Sequence, residues 1–250
     1  NETSPLKEKQ ILYYGGDILT MNGDTPKYVE ALVTNEDTIV FVGKIKEAKK
    51  IFAAAKTQNL HGKTLLPGFI DAHAHFAGFP SQAIGAQILP PPDAGADNIA
   101  SLIKILKDWS TPENIELTGW IFGMGFDDSV LEEKRFPTKT DLDKVSTEHP
   151  IMIIHISGHF CVVNSKGLAM LNINSETPDP EGGLIRRVPN TNEPNGVLEE
   201  LAAIPIMPKV LGPKSEAALK AFLIAGQDMA LSYGYTTVQE GRAMPSSHLF

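Results

Sequence analysis

The sequence predicts an α/β protein, a parallel (β/α)8 barrel with a β-rich leader and a large α/β insertion after the first barrel strand. Three observations carry that expectation. Residues 11–43 are dense in β-prone runs, the stretch 65–75 opens as an apolar strand and ends in two histidines one residue apart, and a long helical pattern over 214–232 leads into a β-prone run at 235–239. Strand, irregular segment, then helix and strand is the order that a parallel barrel imposes when one of its loops is expanded.

In the leader, Ile11-Leu12-Tyr13-Tyr14 and Asp17-Ile18-Leu19-Thr20-Met21 read as two strands with a turn at Gly15-Gly16. Ala31-Leu32-Val33-Thr34 and Thr38-Ile39-Val40-Phe41-Val42-Gly43 flank Asn35-Glu36-Asp37, a hairpin pattern. Residues 44–56 place Ile45, Ala48, Ile51, Phe52 and Ala55 at helical spacing among lysines, and 60–66 returns to strand. Beyond the histidines, the proline-rich stretch 90–95 is loop, and 98–109 is an amphipathic helix with Asn98 or Asp97 as N-cap. Residues 120–124 are strand-like. Thr138, with Asp141 three residues on, starts a short helix in near capping-box form. The continuous apolar run 150–156 is the pattern of a strand covered on both faces. Residues 164–171 read as helix, 174–196 as loop or short hairpin, and 214–232 as a helix capped by Ser215.

With 250 residues and 42% hydrophobic content, the chain has material for a sizeable core. Its net charge of −8 argues against nucleic acid or an anionic membrane as partner, and no apolar run reaches the roughly 18–20 residues that cross a bilayer. The single cysteine, Cys161, has apolar neighbours and reads as a buried, inert thiol. The chain begins at Asn1 with a polar stretch, which leaves two compartments open: cytoplasmic, or exported with a signal peptide removed.

The chemistry concentrates in Pro67-Gly68-Phe69-Ile70-Asp71-Ala72-His73-Ala74-His75. Strand alternation would set Asp71, His73 and His75 on one face, with small alanines on the other. Two converging imidazoles suit a divalent transition metal, zinc first. Glu240, just past the run 235–239, would lie at a neighbouring strand end, as a site residue or an ordinary loop carboxylate.

This block resembles the entry motif of the amidohydrolase superfamily, whose first barrel strand carries a His-x-His metal pair. Further blocks follow in order. They are Trp120-Ile121-Phe122-Gly123-Met124-Gly125-Phe126-Asp127, Pro137-Thr138-Lys139-Thr140-Asp141-Leu142-Asp143 and His155-Ile156-Ser157-Gly158-His159 with Val163-Asn164-Ser165. Thr177-Pro178-Asp179-Pro180-Glu181-Gly182-Gly183 and Gly196-Val197-Leu198-Glu199-Glu200 complete the series. Together they are similar to the amidohydrolase-3 branch, which includes N-substituted formamide deformylases, over residues 11–241. The resemblance implies a (β/α)8 TIM-barrel metal-dependent hydrolase with a flanking β-sandwich. It implies one or two divalent ions, most readily zinc, and a metal-activated water that attacks a non-peptide carbon–nitrogen bond in an amide, formamide or cyclic amide. It also implies a lysine, two more histidines and an aspartate as later ligands. His61, His149 and His248 lie in no context that suits those positions.

On this reading residues 1–64 form part of the composite sandwich and residues 65–250 the first part of the barrel, with the insertion at about 77–212. His73 and His75 are the expected metal ligands, and Asp71 and His159 the candidate catalytic residues. Asp71 either orients an imidazole or the metal water, or caps backbone amides. The resemblance puts the His159 loop over the active site, where His159 contacts substrate or else satisfies a loop carbonyl. Asn164, Glu200 and Phe126 are the other candidate substrate contacts. Glu200 is read on a helical stretch beside Glu199, and His155, inside the apolar run, as structural. The expected partner is a small amide-type substrate, and an open half-barrel would favour homo-oligomers through its bare edges. The segment alone is expected to be inactive, the protein continuing for about as many residues again to complete a barrel of about 250 residues. A non-catalytic fragment or binding module is the competing class, and an isomerase or lyase on the same barrel a third.

Overall fold

The computed structural model describes residues 9–241; the readings placed on the first eight residues and on His248 lie outside them. Contacts divide the chain into two units, one ending at Ile70 and one beginning at Asp71.

The first unit holds β1 (Gln10–Leu19), β2 (Tyr28–Asn35), β3 (Thr38–Gly43), α1 (Ile45–Ile51) and β4 (Lys56–Asn59), with the sheet in the order β3-β2-β1-β4. β1–β2 and β2–β3 are antiparallel and β1–β4 is parallel. Leu12, Ala31, Val33 and Ala48 form its core, packed by Phe41 and Phe52 edge to face at 5.8 Å. Gly15-Gly16 is no turn. β1 runs through it, and the register slips between Tyr14 and Ile18, so the glycines make a bulge where a Cβ on Gly16 would strike the Lys63 carbonyl. The strand expected over 60–66 lies earlier, at β4, whose largely exposed Lys-Thr-Gln-Asn carries no apolar signal. Leu65 keeps one rung: its N–H donates to the Asp17 carbonyl (2.8 Å), and its carbonyl accepts from Leu19 N–H (3.0 Å). That rung draws residues past 64 into the first unit.

The second unit begins with the last residue of β5 (Phe69–Asp71) and a 3-10 turn over Phe76–Gly78. There follow α2 (Phe79–Ile84), β6 (Ala86–Gln87), α3 (Ile99–Trp109), α4 (Pro112–Thr118) and β7 (Ile121–Phe126). Next come α5 (Lys139–Leu142), β8 (Ile151–His155), β9 (Phe160–Val163), α6 (Ser165–Met170), β10 (Gly183–Arg187) and β11 (Pro194–Glu200). It ends with α7 (Met207–Leu211), α8 (Glu216–Ser232) and β12 (Tyr235–Val238). Six strands form one open sheet, β10-β11-β9-β8-β7-β6, parallel at β6–β7–β8 and antiparallel beyond. This mixed sheet occupies the stretch expected as the insertion; it is not part of a parallel barrel.

Period-2 alternation gives the sheet two cores. Ile151 and Ile153 of β8, Val162 of β9 and Val197 of β11 face Leu102, Leu106 and Leu142 of α3 and α5. Met152, Ile154, Cys161, Val163 and Leu198 face Trp120, Leu168 and Val210 on the other side. Cys161 is fully buried, and burial pushes its thiol up to about 12, which keeps it protonated and inert. The glutamates Glu199 and Glu200, read as helical, lie on β11, because Val197 to Glu199 pair with Val162 to Phe160.

Candidate functional site

The histidine pair sits where β5 ends. The strand stops at Asp71, so His73 lies in a bend, not on a continuing strand face. Asp71 Oδ1 accepts from His73 N–H at 3.2 Å, which gives that carboxylate the amide-capping role and holds the bend. Strict alternation stops with the strand: Ala74 is buried, whereas Ala72 is exposed along with both histidines. Their ring centroids stand 6.2 Å apart with planes at 67°. A bridge pairs His75 with Glu240, His75 Nδ1 lies 3.5 Å from Glu240 Oε1, and Gln239 N–H donates to the Asp71 carbonyl at 2.9 Å. The end of β12 thereby sets a carboxylate beside the second imidazole.

A second cluster lies on the β8–β9 hairpin. The His155 carbonyl accepts from Gly158 N–H at 2.9 Å, and Gly158 takes a φ of 73°, a left-handed conformation that closes the turn. His159 follows. Its Nδ1 is 2.9 Å from Glu200 Oε2, its carbonyl accepts from Glu200 N–H at 2.9 Å, and the two side chains are 56% and 47% exposed. Nδ1–H donates to the carboxylate, so Nε2 is the ring nitrogen left with a lone pair. Glu200 holds a left-handed φ of 48°, uncommon for a residue with a side chain.

Beneath this hairpin, His155 shares the parity of Ile151 and Ile153 and points to the α3–α5 side. Phe136 stacks on its ring at 5.6 Å, and Phe126 and Phe160 meet it edge-on at 5.2 and 5.5 Å. A bulge at Gly125, φ 97°, brings Phe126 opposite His155 and turns Asp127 and Asp128 toward it. His155 Nε2 is buried without a well-aligned hydrogen bond; Asp128 Oδ1 lies 3.2 Å away. Ligand atoms of Asp127, Asp128 and His155 all lie within 4.8 Å of one another, a spacing that a divalent cation could bridge. Hydrogen bonds from Ser129 Oγ (2.7 Å) and N–H (2.9 Å) hold the Asp127 carboxyl below its usual value against the opposing effect of burial, with lesser help from the Lys134 charge.

Two candidate substrate contacts move. Asn164 is fully buried: its Oδ1 accepts from Gly167 N–H and Ile151 N–H, both at 2.9 Å, and its Nδ2 donates to the Ser146 and His149 carbonyls. As cap of α6 and clamp on β8, it has no face for a ligand. Phe126, also fully buried, belongs to the core. The Asp127–Asp128–His155 group escaped the sequence reading. Its signal was a pair of carboxylates ending one strand and a histidine ending the next, which becomes a site only when β7 and β8 pair in parallel.

Residues 56–248 match the model of the amidohydrolase family. The chain is 33% identical over 177 residues to the N-substituted formamide deformylase of Arthrobacter pascens, covering 70% of this chain and 31% of that protein. It is 29% identical over 209 residues to the amidohydrolase YtcJ of Bacillus subtilis, covering 83% of this chain and 38% of that one. Among solved structures, a metal-dependent hydrolase from Pyrococcus furiosus superposes with a TM-score of 0.60 at 23% identity, over 92% of this chain and 43% of its own. The chain thus spans about two fifths or less of these relatives. From its matched residues, this chain belongs to the amidohydrolase family.

Proposed function

We propose that the protein is a metal-dependent hydrolase of a non-peptide carbon–nitrogen bond, most readily an N-substituted formamide or related amide. The single observation that carries this reading is the exposed His73–His75 pair beside Glu240 at the ends of β5 and β12. Two imidazoles and a carboxylate are donor types that zinc and similar divalent ions accept, so the residues fit the ion that the resemblance implies. His73 and His75 would hold it, with further ligands from later barrel strands. When bound, it lowers the pKa of water and polarises a carbonyl.

This chain's own residues do the rest. Asp71 fixes the bend that presents His73, and Glu240 orients His75. His159 handles a proton at Nε2, for which Glu200 supplies tautomer and orientation by accepting from Nδ1. With a lone pair at Nε2, a half-exposed imidazole on a hairpin can take the proton that the attacking water gives up and pass it to the departing amine. The preference for formamides rests on the activity for which the Arthrobacter relative is named.

The test uses full-length protein loaded with zinc, cobalt or manganese and assayed for amine release from a series of N-substituted formamides. The expected result is metal-dependent release, abolished together with bound metal in H73A/H75A. Equal metal content in wild type and double variant would overturn the assignment.

A further inference from the structure

Ser157 connects the two histidines of the β8–β9 hairpin. Its N–H donates to His155 Nδ1 at 3.1 Å, and its Oγ lies 2.8 Å from the same nitrogen. That Oγ also accepts from His159 N–H at 3.2 Å. Because Nδ1 receives a backbone N–H, it is the unprotonated nitrogen of His155, and the ring proton sits on Nε2, facing Asp128. The imidazole cannot swing to another partner, since three phenyl rings enclose it. Ile156 N–H is tied to the Phe126 carbonyl at 2.9 Å, so the turn is anchored on both sides of Ser157.

We infer that His155 and Ser157 are positioning residues: buried imidazole and serine hydroxyl together fix the His159 backbone, and so aim the His159–Glu200 pair. The inference rests on the proton-handling role proposed for His159. An amide hydrogen bond at His159 and a carboxylate hydrogen bond at its ring are two constraints on one residue whose side chain is otherwise half in water. Glu200 sets which ring nitrogen carries the proton; Ser157 sets where the ring stands. If the serine hydroxyl is lost, the turn keeps its Gly158 closure but His159 N–H loses its acceptor. The ring then samples positions that Glu200 cannot follow from its fixed place at the end of β11.

Ser157 is exposed, so its replacement should leave folding intact. In full-length protein, S157A is expected to lower kcat on an N-substituted formamide by about tenfold, KM staying within about twofold, as happens when a supporting hydrogen bond is removed. S157T, which keeps the hydroxyl, should restore most of the loss. Long-range proton–nitrogen spectra give a readout independent of turnover. Wild type should show His159 protonated at Nδ1, S157A a mixture of tautomers, and S157T the wild-type pattern, all at unchanged melting temperature. Unaltered His159 signals in S157A would overturn the inference, as would S157T failing to rescue them. Absence of turnover in wild type would sink the hydrolase reading alone and leave the spectra to decide this one. Zinc that binds H73A/H75A and shifts His155 but is lost in D128N would assign that cluster to a cation, and would overturn the positioning role.

Discussion

At the scale of single residues, Glu200 and Asn164 show opposite uses of a polar side chain. Glu200 sits at a left-handed φ of 48° at the end of β11, where a side chain costs roughly 1–2 kcal/mol relative to the ordinary regions. Its ladder hydrogen bond to the His159 carbonyl and its carboxylate contact with His159 Nδ1 keep it there. Glu200→Gly should therefore raise stability by about 0.5 kcal/mol, the strain relief being offset in part by glycine's larger unfolded-state entropy. The same change should remove the partner that sets the His159 tautomer. A higher melting temperature together with slower turnover is the expected pair of results, and a lower melting temperature would show that the backbone is not strained. Asn164 spends both ends of its amide on four backbone groups with no exposure at all. Asn164→Ala leaves those groups without partners and should cost about 3 kcal/mol, read as a fall in the urea midpoint.

At the scale of elements, legibility followed how local the deciding interaction is. The N-caps Asn98 and Ser215 and the Thr138–Asp141 pair were readable because each joins residues three positions apart. β8 was readable because a run buried on both faces needs no polar partner in the sequence. β4 and the β1 bulge were not, since Lys-Thr-Gln-Asn and Gly-Gly become strand only through pairing with β1 and β2. Glu199 and Glu200 favour helix locally, and the ladder to β9 overrides them. The histidine pair stood out in sequence, whereas the Asp127–Asp128–His155 group needed the register Phe126 to His155. The α5 capping box carries its own prediction. Burial works against the charge of Asp141, yet hydrogen bonds from Arg135 (2.7 Å) and from Thr138 N–H and Oγ (both 3.0 Å) outweigh it, bringing the carboxyl down from 3.8 to about 2. A pKa lowered by folding contributes stability above the unfolded value, lost as pH falls through the folded one. This contribution is about 2 kcal/mol at neutral pH. The advantage of wild type over Asp141→Asn should thus persist down to about pH 4 and shrink between there and pH 2. A constant difference across that range would assign the stabilisation to shape instead of charge.

At the scale of the whole molecule, the metal is the deciding question. A catalytic zinc site has at least three protein ligands plus an open position. At the histidine pair this chain places two imidazoles and, beside the second, the Glu240 carboxylate. Its relatives are longer: the chain covers 38% of the Bacillus protein and 31% of the Arthrobacter one. A site with few donors gives little back for stripping the ion's water, so ligands supplied by a longer chain would strengthen it steeply. Residues 1–250 alone should therefore bind zinc at His73 and His75 at least about a hundredfold more weakly than full-length protein, given that even second-shell losses cost 10–100-fold. The apolar side chains Ile39, Val40 and Val42 stand exposed on edge strand β3, an arrangement that favours association, so the comparison needs dilute protein and a monomer check by light scattering. Competition with a zinc-responsive dye measures both affinities, and H73A/H75A in each protein assigns the signal to the pair. Equal affinities, lost equally in both double variants, would mean that Glu240 and its neighbours already complete the site within these residues.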